Sequence, residues 1–579
     1  MKKTFLLFSL LIMISLGLRV SVNAQTTSKF KGQTLTIFNV EDYISQGIDD
    51  SVNLIEKFEK EYDVKVNYYT YDTNETMYNQ FKLQKEGTYD LICTSDYMIQ
   101  KMIKEGLVMP MDNYATYIPN YERYASTALR EKLKNMKVPY GERTVNLDEF
   151  AVGYMWGTLG IVYDPTCSDT ICEDVKSWDV FWNEKYANLI SIKNSVRDAF
   201  VVGLMHSYSK EESYQKIMQA YLENPTIENM QAYNELVQEI FDFKLDGSTS
   251  SDQENLEKIR RVKEELISVK QNIFGFEVDS GKNDIITGKI KMNLAYSGDA
   301  VYSIDTARDE AGKRLEYYVP EDGSNIWYDA WTLPKGSNKE LAYAFLNFLS
   351  DPKNAADNMD YIGYTPYIVG DELFTLTGAW YGATDYLVTS AYLKDDETLV
   401  IYENKLYMCI KDKDADLEIY PDNEEYFECL EYSSDKTYEE EDMVSYHGKI
   451  YNCISADEIK GISPDDTICW EENEGYDLSH LYGGMLSENR RPIVYASPSS
   501  LNELETQYPS EYIIARCAIM NDFGSYNDEV VIAWGQIKAY TNMSPIYIFL
   551  SVVLVVCVTL VIVYVVKKRI DYKYKKKGN

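Results

Sequence analysis

Four aspartates of this chain, Asp42, Asp198, Asp299 and Asp329, fall at turns beside expected strands, and aromatic residues accompany them. Tyr43 follows Asp42, Tyr296 precedes Asp299 by three residues, and Trp327 precedes Asp329 by two. A further polar turn carries Ser95 and Tyr97. Acids interleaved with aromatics suit a cation. An alkyl diammonium needs carboxylates at its ends, aromatic or apolar walls along its methylenes, and exclusion of water. Cation–π contacts contribute about 0.5–2 kcal/mol each. Charge-assisted hydrogen bonds from ammonium to carboxylate add strength and fix the register. One aspartate at a turn is ordinarily a cap or turn residue, and one tryptophan is as readily core. Four acids at equivalent turns shift the balance toward a ligand.

The elements that must position these residues follow from periodicity. Leu35–Phe38 is a short β-prone run, and Ile48, Val52, Ile55 and Phe58 fall three or four apart, as on a helix. Val64–Tyr71 alternates as a second strand, Asp90–Cys93 forms a third, and an amphipathic helix follows Tyr97. Alternating strands and helices predict an α/β fold with a parallel sheet, whose ligands sit at the carboxyl ends of strands. Ala151–Tyr163 reads as a buried strand region, and Leu189–Ile192 as a strand leading to a helix that opens near Ser195, Arg197 and Asp198. Residues 209–272 are charged and helical, and mostly a solvated face. A strand over 289–296 leads to Tyr296-Ser-Gly-Asp299, and Ile326–Asp329 forms a turn before the strand Trp331–Leu333.

The two ends place the chain. Residues 1–24 have a basic start, an apolar run from Phe5 to Leu18 and small residues before Gln25, the pattern of a cleaved signal peptide. Residues 546–566 hold no charge and are long enough to cross a bilayer, and the basic tail 567–579 belongs inside. The ectodomain is therefore expected outside a cell membrane crossed once, on the extracellular or periplasmic face. The net charge is −35; the first 24 residues carry three positive charges and residues 546–579 a net six, which leaves −44 on the stretch between. So acidic a surface repels nucleic acid and draws cations inward.

Cysteine usage suits an oxidising exterior. Cys167 and Cys172, Cys409 and Cys429, and Cys453 and Cys469 are close pairs that could close small loops, although spacing does not fix connectivity. Cys93 and Cys517 are expected buried and free, and Cys557 lies in the membrane helix. Three scattered histidines and no phosphate-cradling glycine loop leave no zinc site and no catalytic nucleophile with its base. No enzyme activity and no cofactor are expected.

Residues from about 33 to 368, and more weakly 497–540, resemble the polyamine (spermidine/putrescine) substrate-binding proteins of ABC importers. The matching segments, in order, are Phe38–Tyr43, Tyr71–Tyr78, Tyr89–Tyr97, Trp156-Gly-Thr, Arg197-Asp198, Tyr296–Asp299, Trp327–Asp329 and Ile362–Pro366. The resemblance implies a two-lobed periplasmic-binding-protein-like fold (type II) that closes on its ligand. It implies that Asp329 binds an ammonium group with Trp327 as a wall, and that Asp198 is an acidic ligand residue of the second lobe. Tyr43, Ser95 and Tyr97 match first-lobe contacts, Tyr364 another aromatic, and Tyr296 belongs to the segment holding Asp299. Val40 stands where spermidine-type proteins have tryptophan, and Ser195 where they have aspartate. Asp42 and Asp299 look more like the putrescine-preferring branch, which tilts the expectation toward a shorter diamine.

Residues 392–475 interrupt the pattern with an internal repeat of period near 44: Val400–Cys409 parallels Val444–Cys453. The second copy resembles the small β carbohydrate-binding modules of chitinases. Its aromatics are expected to form a small core of their own; the alternative is glycan contact through exposed Tyr446, Tyr451 and Trp470. The expected organisation is thus a signal peptide (1–24), a solute-binding domain in two parts (33–391 and 476–540), an all-β insert (392–475), a membrane helix (546–566) and a tail (567–579). The expected function is capture of a putrescine or spermidine molecule and its delivery to a permease driven by a separate ATPase subunit. The alternative is a surface glycan-binding or adhesion protein that reuses the fold.

Overall fold

The computed structural model describes residues 29–48, 51–278, 280–540 and 544–577. The expected signal peptide lies outside them. The first strand, β1 (Thr34–Val40), is followed by helix α1 (Leu54–Tyr62), β2 (Lys65–Tyr71), α2 (Asn74–Lys82), β3 (Leu91–Ser95) and α3 (Asp96–Lys104). Asn53 caps α1 by accepting from the Glu56 amide at 3.0 Å. The helix therefore starts after Val52. Ile48 and Val52, expected on its apolar stripe, are instead exposed in the preceding loop, while Leu54 and Phe58 supply the buried face. β1 pairs parallel with β2 and with β3.

The second lobe is built from β4 (Ala151–Tyr163), β5 (Ile190–Lys193), α4 (Val196–Tyr208), β6 (Gly275–Glu277), β7 (Met292–Tyr296), α5 (Ser297–Ala311) and β8 (Ser324–Pro334). The strands lie in the order β2-β1-β3-β8-β4-β7-β5-β6. Every residue of β4 and β8 is buried, as expected for strands covered on both faces. Both are long enough to serve two lobes. The part of β8 from Asp329 to Thr332 pairs with β3 of the first lobe. β4 pairs antiparallel with β8 along Ala151–Thr158 and with β7 of the second lobe along Leu159–Tyr163. Two separate hydrophobic cores flank this crossing, one around Phe38, Ile92 and Trp331 and the other around Trp178, Phe200 and Leu294.

Ile326–Asp329 is not a turn. It runs within β8, and the register against β4 slips between Asp329 and Ala330, leaving Tyr154 as the extra residue. A bulge of this kind kinks the ladder and re-aims side chains. It explains how an aspartate can stand in the middle of a buried strand.

The insert is joined to the binding domain through its strands. Leu399–Tyr402 pairs parallel with Gly382–Asp385, which pairs in turn with Ile493–Ala496. The two repeats are hairpins of one design, Leu399–Tyr402 with Lys405–Cys409 and Met443–Tyr446 with Lys449–Cys453. Their two-residue turns, Glu403-Asn404 and His447-Gly448, both have positive φ throughout, the geometry that matches strand twist. Trp470, expected exposed in the glycan alternative, is 1% exposed. It packs edge-on against Tyr438 at 5.2 Å, and its Nε1 donates to the Ile462 carbonyl at 3.0 Å. Burying this largest ring is the cheapest way for so short a module to gain a core. Tyr446 and Tyr451 are half-buried, and Tyr446 donates to Asp465.

All nine cysteines are free thiols. Cys409 stands opposite Phe427 and Cys429 opposite Tyr407, so the first expected pair is offset along the ladder. Cys453 stands opposite Trp470, one residue from Cys469. Cys167 precedes the short helix Ile171–Asp174, and Cys172 lies within its first turn. A final helix, Ser544–Lys577, contains the 20-residue apolar stretch Phe549–Lys568, with a mean hydropathy of 3.1. At 1.5 Å per residue such a stretch matches a bilayer core of about 30 Å.

Candidate functional site

Three helices begin where strands of the main sheet end: α3 after β3, α4 after β5 and α5 after β7. Their first turns bring acids to the meeting of the lobes. Asp198 is in the first turn of α4, whose N-cap Ser195 accepts from the Asp198 amide. Asp299 is in the first turn of α5. Helix N-termini favour carboxylates there. Asp329 comes from β8 and stands across from Ser95.

Each of these three buried carboxylates receives a tyrosine hydroxyl. Tyr43 donates to Asp329 at 2.8 Å, Tyr364 donates to Asp299 at 2.7 Å, and Tyr296 donates to Asp198. Trp327 binds the three units together: its ring lies 5.9 Å from Tyr296 and 5.6 Å from Tyr364, and Tyr364 lies 5.1 Å from Tyr43. Two glycines let the rings approach so closely. A Cβ on Gly157 would meet the Trp327 ring at 2.7 Å, and one on Gly298 would overlap the Tyr364 ring.

Two polar atoms inside this cage are buried with no hydrogen-bond partner, Asp329 Oδ1 and Trp327 Nε1. Buried polar groups are ordinarily satisfied, and an orphan at a cleft points to function. The electrostatics agree. Burial pushes the Asp329 carboxyl up to about 6, against the pull of the Ser95 and Tyr43 hydroxyls, and the nearby Asp198 charge pushes it the same way. Burial also raises Asp198, with Ser195 and Tyr296 pulling back. Two mutually repelling carboxylates beside an aromatic face are what a cationic ligand would neutralise.

The ten residues expected from sequence do not all join. Tyr43, Asp198, Tyr296, Asp299, Trp327, Asp329 and Tyr364 form the cage, and Ser95 lines it opposite Asp329, accepting from Asn74 at 2.9 Å. Tyr97 is adjacent, with its hydroxyl on Glu75 at 2.9 Å and the Arg197 guanidinium 3.7 Å from its ring centre, a contact that crosses between lobes. Asp42 is the exception. It is exposed in a left-handed turn (φ +53) that follows the Glu41 amide's bond to the Tyr71 carbonyl, and this turn sends Tyr43 inward instead.

The sequence reading also missed two residues. Asp96 lies under the cage, accepts from the Tyr328 amide at 3.0 Å, and is pushed up to about 7 by burial. Lys193, the last residue of β5, places Nζ 3.0 Å from Asp299 Oδ2. Its position at the carboxyl end of a strand, two residues before Ser195, was the available signal.

The chain is 27% identical over 345 residues to the spermidine/putrescine-binding periplasmic protein of Salmonella typhimurium, which covers 59% of this chain and 80% of that protein. It is 26% identical over 341 residues to a putrescine-binding periplasmic protein of Pseudomonas aeruginosa, covering 57% and 77%. Among solved structures, a spermidine/putrescine ABC transporter substrate-binding protein of Streptococcus pneumoniae is 26% identical and covers 58% of this chain and 84% of its own, with a TM-score of 0.41. Residues 53–369, more than half of the sequence, match the family of bacterial extracellular solute-binding proteins. The chain belongs to that family.

Proposed function

We propose that this protein is the membrane-anchored solute-binding component of an ABC importer, and that it captures a small polyamine between its lobes outside the cell. The observation that carries the proposal is the buried Asp329 carboxylate, with Oδ1 unpartnered, beside the Trp327 ring, which Tyr296 and Tyr364 flank. An ammonium group supplies the donors that Asp329 lacks, and the aromatic rings cover the methylenes. Capture needs binding energy and lobe closure alone; no bond is made or broken. The relatives named for spermidine and putrescine support the ligand class. The helix Phe549–Lys568 serves as the anchor, residues 1–24 as the signal for export, and the permease with its ATPase subunit as the partner.

The burial of Trp470 speaks against the glycan-binding alternative. Equilibrium dialysis of the full chain with labelled putrescine, labelled spermidine and chitin oligomers tests the reading. Saturable amine binding is expected. Oligosaccharide binding without amine binding would sink it.

A further inference from the structure

The buried ammonium of Lys193 works against a cationic ligand in this cage. Its side chain is 4% exposed, and Nζ lies 3.0 Å from Asp299 and 3.5 Å from Glu277. It also donates to the Val278 carbonyl at 3.3 Å and lies 5.4 Å from the centre of the Tyr296 ring. Lys282 approaches the other oxygen of Asp299 at 3.8 Å. Among the described residues, the carboxylates of Asp299 and Glu277 thus face the ammonium groups of Lys193 and Lys282 at this end of the cleft. The other end differs: Asp329 and Asp198 are held by tyrosine hydroxyls, and the Lys193 and Arg197 charges reach Asp198 only as a weaker pull behind those of Ser195 and Tyr296. The contrast shows in the electrostatics. Burial pushes Asp299 up, yet Lys193 and Lys282 overcome it and hold the carboxyl below its ordinary value.

We propose that Lys193 is a specificity-determining residue, an internal ammonium that fills the Asp299 end of the cleft and restricts the ligand to a short diamine lying between Asp329 and Asp198. This rests on the amine-binding reading above and narrows it. A triamine would carry its additional ammonium toward Asp299, where it meets Lys193 in a site that screens like charges poorly. The chain's own lysine therefore does to longer polyamines what a bound competitor would do, and discrimination comes from repulsion as well as fit.

The test is calorimetric titration of the full chain in detergent with putrescine and with spermidine, for the wild type, Lys193→Met and Lys193→Arg. The wild type is expected to favour putrescine at least tenfold. Lys193→Met should gain spermidine affinity and reduce that preference at least tenfold, whereas Lys193→Arg, which keeps the cation, should retain it. A Lys193→Met protein that binds putrescine well with an unchanged preference would overturn the proposal and leave the amine-binding reading standing. The wild type alone gives a second check should the Met variant not fold: equal affinity for both amines overturns the proposal. Binding of neither amine by the wild type overturns the reading and this proposal together.

Discussion

The Tyr43 hydroxyl donates to Asp329 Oδ2 at 2.8 Å, tying the turn after β1 to the middle of β8, 286 residues further along the chain. The bond uses one oxygen of the carboxylate and leaves Oδ1 unpartnered in the cage. Tyr43 thereby orients Asp329 without satisfying it. Tyr43→Phe should keep the ring contacts with Tyr154 and Tyr364 but free the carboxylate to swing. The expected loss of putrescine affinity is about tenfold, near the 1.4 kcal/mol that one charge-assisted hydrogen bond supplies. Titration of the variant reads it, and an unchanged affinity would show that Tyr43 does not orient the site.

Ligand binding should depend on pH in a defined direction. Asp329, held near 6 by burial, must ionise to meet an ammonium group. Binding at pH 6 therefore releases protons, and affinity falls as pH drops below 6, by about tenfold at pH 5 from this group alone. Calorimetry in two buffers of different ionisation enthalpy measures the proton count. Equal affinity at pH 5 and pH 7.5 would contradict the assignment.

Without ligand the same carboxylate opposes folding. Its pKa in the folded chain lies above the ordinary value of 3.8, so the folded state holds the proton more tightly. The cost of burying the charge appears as pH rises from about 4 to about 6 and is complete above that, at about 3 kcal/mol. Asp329→Asn should therefore raise the Tm of the ligand-free protein at pH 7.5 and leave it nearly unchanged at pH 4. A variant that melts lower at pH 7.5 would show that the ionised carboxylate stabilises the fold.

Much of this arrangement was legible in the sequence, and the exceptions have physical causes. The strand and helix order was readable because the strands are apolar runs separated by polar turns. The identities of Asp198, Asp299 and Asp329 came from their segments. The place of Asp329 did not: a bulge registers only when β4 and β8 are paired, and nothing in Ile326–Asp329 itself distinguishes a turn from a kinked strand. Asp42 read like the others, yet the left-handed turn that directs Tyr43 inward directs Asp42 outward. Lys193 escaped notice because an acidic cage invites a search for acids, while its ion pair with Asp299 spans 106 residues.

The insert should prove separable from ligand capture. Trp470→Ala empties the core formed with Tyr438, Val444 and Ile459, a loss of about 3–5 kcal/mol for a buried tryptophan. Limited proteolysis should then cut within the residue 430–475 region while putrescine affinity stays within twofold of the wild type. A parallel loss of amine binding would tie the module to the cleft.

The most direct measurement compares putrescine binding by the full chain and by Asp329→Asn, using calorimetry at pH 7.5 with melting curves to establish folding. The wild type should bind at a single site. The Asn variant should remain folded and bind at least a hundredfold more weakly, about 2.7 kcal/mol, since it keeps the shape of the site and loses the charge. A folded Asn variant that binds putrescine as tightly as the wild type would contradict the account.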